Sequence, residues 1–404
     1  MAYLHRTIEK VIPQLSGSSK GILLFGMRQT GKTALMKHLG SKRPYVTLVQ
    51  HEIRDTAMHA PEELLTDCPP HAIIDEVEWA PALFPALETF LDARNDRGLF
   101  WLSGSQRPSP GGEVADTLPG RIALLTLLPL SIYEREGKGL EQLPYLPDFS
   151  LHQRLEARSP LETWKIVFEG GFPEAQSLSG GDDRKLFFDK LIDSVIEKDI
   201  PQLNSIEKRM AFRRFLQMLA VRSGQVLNYT ALAHDCGLTI KTIREWLSIA
   251  EASGFIFVLP PFFENIGKRL VRSPKLYFAD TGLLCRLTGI HTPEEAAAHY
   301  NAGALFETFV VMEIVKSWLH NGRRPDFCFY RDSDQNEIDL LIRSQNIFFP
   351  VEIRAAETPK ASMLKSIRSF RKIRPDCGTA ALISLLQETV PLDANTVSHS
   401  IWSI

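Results

Sequence analysis

Two short stretches carry residues whose types and spacing can do chemistry on a phosphate. Residues 26–33 read Gly26-Met27-Arg28-Gln29-Thr30-Gly31-Lys32-Thr33, a match to GxxxxGK[ST]. Glycines at that spacing let backbone N–H groups turn inward around an anion, and a helix starting there aims its positive end at the same point. Lys32 then neutralises the β/γ-phosphates of a nucleotide, and Thr33 offers its hydroxyl to Mg²⁺. The second stretch, His71-Ala72-Ile73-Ile74-Asp75-Glu76, is an apolar run ending in two carboxylates. In that form Asp75 holds Mg²⁺ through water, while Glu76 orients or deprotonates the attacking water. The Asp-Glu pair points to ATP hydrolysis and away from simple kinases. Downstream, Leu102-Ser103-Gly104-Ser105-Gln106 offers Ser105 or Gln106 as a γ-phosphate sensor, with a plain turn as the alternative. Arg121, after Gly120, is either an arginine finger, in cis or from a neighbouring subunit, or a surface ion pair.

These side chains need a scaffold, and the first third of the chain supplies an α/β pattern. Strands are expected at 21–25, 44–49, 72–75, 99–103 and 122–127. Helices are expected at 32–39 and at 81–93, where Leu83, Leu87, Phe90 and Leu91 recur at helical spacing. The loop 26–33 therefore lies between a strand and a helix, the context the motif requires. The 404 residues suffice for two or three domains. A net charge of −2 excludes a global pull toward nucleic acid or membrane, so any such surface is a local patch. Five scattered cysteines without a CxxC pair argue against disulfides and a zinc ribbon, and suit a reducing compartment. With no apolar leader and no run long enough to span a bilayer, a cytoplasmic protein is expected. Beyond a polar, proline-bearing boundary at 137–160, helices are expected at 187–200, 211–221, 305–319 and 363–370. Strands follow at 327–330, 337–343, 347–353 and 379–383.

In series, GMRQTGKT, IIDEVEWAP, LSGSQ, LPGR with PLSIYE, GGFPEA, FADTGLL, GALFETFVVMEI, NEIDLLI and VEIR resemble a prokaryotic family of AAA-like P-loop ATPases with a C-terminal domain of unknown function. The resemblance covers nearly the whole chain. It implies an ASCE-type parallel sheet over 1–136, a helical lid or linker over 137–225, a winged helix over 226–303 and a PD-(D/E)xK nuclease-like α/β fold over 304–404. Glu78 stands where the family pattern has glutamine, which weakens a nucleotide-sensing role there. The middle region independently shows a short helix at 230–236, a second capped by Thr239, and two wing strands at 255–259 and 275–278. Lys241, Thr242 and Arg244 then face outward, and Lys268, Arg269, Arg272 and Lys275 give the wing a basic rim for DNA phosphates. The alternative is a protein-packing module. Glu307, Asp339 and Glu352 match the nuclease-like carboxylate cluster that gathers Mg²⁺. Arg354 replaces the expected lysine, stays protonated and is bulkier, so cleavage is not expected. The expectation is an ATP- and Mg²⁺-dependent hydrolase whose cycle gates a DNA-binding C-terminal half, acting as a homo-oligomer if Arg121 works in trans. The alternatives are an ATP-controlled deoxyribonuclease or a nucleotide-gated protein switch.

Overall fold

The computed structural model describes residues 3–106, 118, 120–149, 155–178, 180–198, 200, 203, 205–262 and 273–404. The first apolar runs form a five-stranded sheet from β1 (Gly21–Phe25), β2 (Tyr45–Thr47), β3 (Ala72–Asp75), β4 (Phe100–Gly104) and β5 (Ile122–Thr126). Its order is β2-β3-β4-β1-β5 and every pairing is parallel. Side chains alternate across each strand, so the run GILLF must be apolar on both faces. Leu23 and Phe25 meet one helical layer with Leu83, Leu87 and Leu91. Ile22 and Leu24 meet the other with Ile8, Ile12, Leu35 and Met36. Gly21 stands level with both Phe100 and Ile122, so the C-terminal ends of β1, β3 and β4 share one edge. Helices His51–His59 and Pro61–Asp67, unmarked by the sequence reading, connect β2 to β3.

Helices Pro160–Glu169, Gly181–Lys198, Ile206–Ala220, Tyr229–Cys236 and Ile240–Ala252 follow. Asn228 and Thr239 cap the last two, accepting from the N–H of Ala231 and Thr242. An antiparallel ribbon of β6 (Ile256–Leu259) and β7 (Lys275–Phe278) comes next. The long helix Ala302–Leu319 is buried almost all round, so its apolar run reads as core. It packs on a six-stranded mixed sheet made of β8 (Phe327–Arg331), β9 (Glu337–Ser344), β10 (Ile347–Arg354), β11 (Ala380–Ser384), β12 (Val390–Asp393) and β13 (Thr396–Ser400), ordered β12-β13-β11-β10-β9-β8. Both β12 and β13 escape the sequence reading, because β13 buries Thr396, Ser398, His399 and Ser400 where an apolar run would be expected. One continuous core extends from Met27 of the P-loop to Ile404. Part of the expected polar boundary belongs to it. Tyr145 is buried, donates its N–H to Ser317 Oγ at 3.0 Å and accepts from Trp318 Nε1 at 2.9 Å. Among the described residues, no helix is long and apolar enough to cross a membrane.

Candidate active site

Residues 26–33 turn off the end of β1. A Cβ on Gly26 would stand 2.0 Å from the Leu127 carbonyl oxygen, so only glycine lets the loop leave the sheet there. Gln29 and Gly31 take left-handed backbone at φ 64° and 96°, conformations that are easy for glycine and uncommon for glutamine. Thr30 is buried and its hydroxyl donates to Met27 O at 2.9 Å. Lys32 is only 6% exposed and donates to Gly26 O at 2.6 Å and Met27 O at 3.1 Å. Its ammonium thus lies inside the loop curve.

Asp75 is the hub of this edge. Its Oδ2 accepts from Thr33 Oγ1 and from Tyr45 OH, each at 2.7 Å, and its Oδ1 accepts from Ser103 Oγ and from the Glu76 N–H. Three adjacent strands and the P-loop helix therefore converge on one buried carboxylate. The Thr33 hydroxyl and Asp75 are hard oxygen donors of the kind Mg²⁺ takes, and they already touch.

Glu76 also sits in left-handed backbone, φ 63°, ψ 46°, a costly conformation for a non-glycine residue. Its carboxyl is pushed up to about 7 by burial, then by the charge and hydrogen bond of Glu78, and Arg28 and Lys32 pull the other way. Arg28 Nη2 lies 3.8 Å from Glu76 Oε2. Glu78 also accepts from the N–H of Ser105 at 3.0 Å and from its hydroxyl. It therefore ties β4's end to the carboxylate pair, which the substitution of the expected glutamine did not suggest. Gln106 follows at the same edge, half-buried.

Residues 18–136 match the family model described as AAA domain. The chain carries an AAA-type P-loop domain. Behind it, residues 162–294 and 302–403 match two families described as Domain of unknown function, DUF8612 and DUF4143 respectively. An uncharacterized protein of Mycobacterium tuberculosis is 28% identical over 86% of this chain and 73% of its own length. One from Methanocaldococcus jannaschii is 21% identical over 85% of this chain and 76% of its own. Among solved structures, a Walker-type ATPase of Pyrococcus abyssi aligns with 69% of this chain and 94% of its own, at TM-score 0.36 and 10% identity. A signal-transduction ATPase with a tetratricopeptide repeat sensor from Pyrococcus horikoshii aligns with 79% and 47%, at TM-score 0.24 and 13% identity.

Arg121 lies away from the sheet edge that carries residues 26–33. It precedes β5, and its carbonyl accepts from Lys20 N–H at the start of β1, so it lies at the opposite end of the sheet from the P-loop. Asp92 and Glu88 hold its guanidinium at 2.7 and 3.0 Å. A finger acting in cis is therefore corrected to a surface ion pair.

A residue the sequence reading missed does reach the loop. Arg6, buried, donates to Thr30 O and Leu128 O, both at 2.7 Å, and its Nε lies 3.1 Å from Glu134 Oε2. Glu134 also accepts from Thr7 N–H at 2.8 Å and Ser131 N–H at 2.9 Å, and it sits 3.0 Å from His320 Nδ1. Leu128 N–H donates to His320 Nε2 at 3.1 Å, which leaves the imidazole proton on Nδ1, facing Glu134. Burial opposes its charge, yet Arg6 and then His320 hold the Glu134 carboxyl well below the ordinary range. A buried polar chain thus runs from the P-loop to the C-cap of the helix Ala302–Leu319. PLSIYE contains Glu134, but nothing in sequence separation marks its partners, Arg6 and His320.

In the C-terminal sheet, Glu307, Asp339 and Glu352 do come together with Arg354, and with a lysine read as part of the wing's rim. Lys275 Nζ lies 3.0 Å from Glu307, 2.6 Å from Glu337 and 3.7 Å from Asp339. Arg354 pairs with Asp339 at 3.1 Å and with Glu352. Glu307 is pushed up to about 7 by burial and then by Asp339. Against its own burial, Tyr277 and the carboxylates Glu307, Asp339 and Glu337 raise Lys275 well above its ordinary value. The carboxylate cluster thus assembles as expected in position, with the buried ammonium of Lys275 and the partly exposed guanidinium of Arg354 beside it. Of the basic surface, Lys241 is 88% exposed and 4.0 Å from Glu245, while Arg244 lies over the Tyr229 ring. Lys275 is buried, and Lys268, Arg269 and Arg272 lie outside the described residues.

Proposed function

We propose that this chain binds and hydrolyses ATP with Mg²⁺ at the C-terminal edge of its first sheet, and that the nucleotide state is passed to the C-terminal half. The observation carrying the proposal is the 2.7 Å contact of Thr33 Oγ1 with Asp75 Oδ2, with Glu76 on the next residue. Residues 26–33 cradle the phosphates through their N–H groups, and Lys32 exchanges its carbonyl partners for phosphate oxygens. Thr33 and Asp75 would hold Mg²⁺, which would supply charge neutralisation at the phosphates. Glu76 accepts a proton from the attacking water, for which a carboxyl titrating near neutrality is well matched. Glu78 holds that pKa up and links the pair to Ser105, beside Gln106.

Arg6 supports the coupling. Its guanidinium grips Thr30 O, and its charge is compensated by a carboxylate that also faces His320. Buried charges of this kind are expensive to separate, so a shift of the loop carries Arg6, Glu134 and His320 with it. Exposed Lys241 and Arg244 make DNA the first partner to test. Cleavage is not part of the proposal, since Arg354 takes the place of the nuclease pattern's lysine. The test is ATP turnover by the full chain with and without duplex, branched and single-stranded DNA, alongside Lys32→Ala and Glu76→Gln. Turnover equal in all three proteins refutes the hydrolase. Turnover without any response to DNA moves the partner to a protein.

A further inference from the structure

The N-terminal arm and the P-loop helix meet at a second set of donors that the nucleotide chemistry does not use. His5 stands before the 3₁₀ turn Thr7–Lys10, Glu9 lies within that turn, and His38 lies in the last turn of the helix Lys32–Leu39. One donor atom from each residue lies within 4.8 Å of the other two, and no other trio of His, Cys, Asp or Glu among the described residues does this. His5 Nδ1 and Glu9 Oε2 are 3.1 Å apart. That is close to the edge of about 3.3 Å between ligands on a tetrahedral ion with bonds of about 2.0–2.1 Å.

The surroundings orient these donors. Glu9 is 7% exposed and its two oxygens are divided. Its Oε1 accepts from the Arg6 N–H at 2.6 Å and from Tyr3 OH at 3.0 Å, which leaves Oε2 to His5. The Tyr3 ring stacks on His38 with centroids 3.9 Å apart and planes 17° from parallel. One tyrosine thus fixes both the carboxylate and the second imidazole, as outer partners do around metal ligands. A His–Glu pair four residues apart requires neither the third donor nor this buttressing. His5 is half-exposed, so its ring can swing to close the remaining gap, and the face beside it is open to an incoming ion.

We propose that His5, Glu9 and His38 form a binding site for a zinc-class divalent cation, completed by solvent. Two imidazoles and one carboxylate select such ions over Mg²⁺, which takes oxygen donors, so the nucleotide's metal does not compete. Occupancy pins the arm to the P-loop helix on either side of Arg6. The site stands independently of ATP hydrolysis. Its test uses the untagged full-length chain stripped with chelator, titrated with Co²⁺ under visible absorption and then with Zn²⁺ against a chromophoric chelator. One equivalent is expected, with a low-coordinate Co²⁺ spectrum that Zn²⁺ abolishes. Binding falls about 10-fold in Tyr3→Phe and at least about 100-fold in His5→Ala or His38→Ala, while circular dichroism stays unchanged. Absence of saturable binding, or binding unaltered in the His5→Ala/His38→Ala double variant, overturns the proposal.

Discussion

If Glu76 is the general base, hydrolysis must follow its ionisation, and the structure sets where that occurs. Burial and the neighbouring Glu78 push its carboxyl up to about 7. Only the deprotonated form accepts a proton, so activity is lost in acid and gained in base. From about pH 6 to about pH 8 the ionised fraction climbs from about one-tenth to about nine-tenths, and the single-turnover rate climbs about tenfold. The assay is single-turnover ATP hydrolysis at saturating nucleotide and Mg²⁺ across that range. Glu76→Gln removes the base, so the rate falls by about 10²-fold or more and the step in the profile disappears. Glu78→Gln keeps an oxygen for Ser105 but removes the like charge, so the midpoint moves to lower pH with activity retained. The two carboxyls interact, and the midpoint belongs to the pair. A flat wild-type profile, or a midpoint unmoved by Glu78→Gln, refutes this account of the base.

Lys32→Ala abolishes ATP binding by calorimetry, and Asp75→Asn removes the Mg²⁺-dependent part of the affinity. Arg121→Ala leaves steady-state turnover unchanged, because Asp92 and Glu88 hold it at the far end of the sheet; loss of a true finger costs about 10³-fold or more. Glu134→Gln leaves Arg6 as an uncompensated buried charge and costs about 3–5 kcal/mol in denaturant titration. Because the Glu134 carboxyl is held below its ordinary range, its stabilisation is complete above the unfolded pKa and fades as pH falls toward the folded one. That acid-sensitive part is missing in the variant. Lys275→Met, which takes the ammonium from Glu307 and leaves buried Asp339 with Arg354 alone, costs a similar amount, about 3–5 kcal/mol, and DNA incubated with wild-type protein and Mg²⁺ or Mn²⁺ stays intact on gels.

The sequence by itself determined what depends on short-range pattern. GILLF followed by a glycine loop and a lysine-led helix specified β1, the turn and the helix Lys32–Leu39, because a doubly buried parallel strand must be apolar throughout and only glycine clears the Leu127 carbonyl. AIIDE likewise placed Asp75 at a strand's end, and parallel pairing brought that end to Thr33. What depends on distant parts of the chain could not be read this way. The clamp on Thr30 comes from Arg6, and its charge is balanced by Glu134, which in turn faces His320 from a third region. Lys275, read as a wing cation, lies among carboxylates from other elements because the ribbon packs against the helix Ala302–Leu319. The polar strand β13 hid for a related reason. Its buried His399 is satisfied by Tyr145 OH at 2.7 Å, a partner no local pattern announces. Arg121 shows the converse: LPGR fits a finger in one dimension, but parallel strand direction takes it to the edge opposite its own chain's P-loop, which leaves no room for the cis form. Buried charges and polar groups must find partners wherever the fold puts them, so their roles were decided by tertiary structure alone.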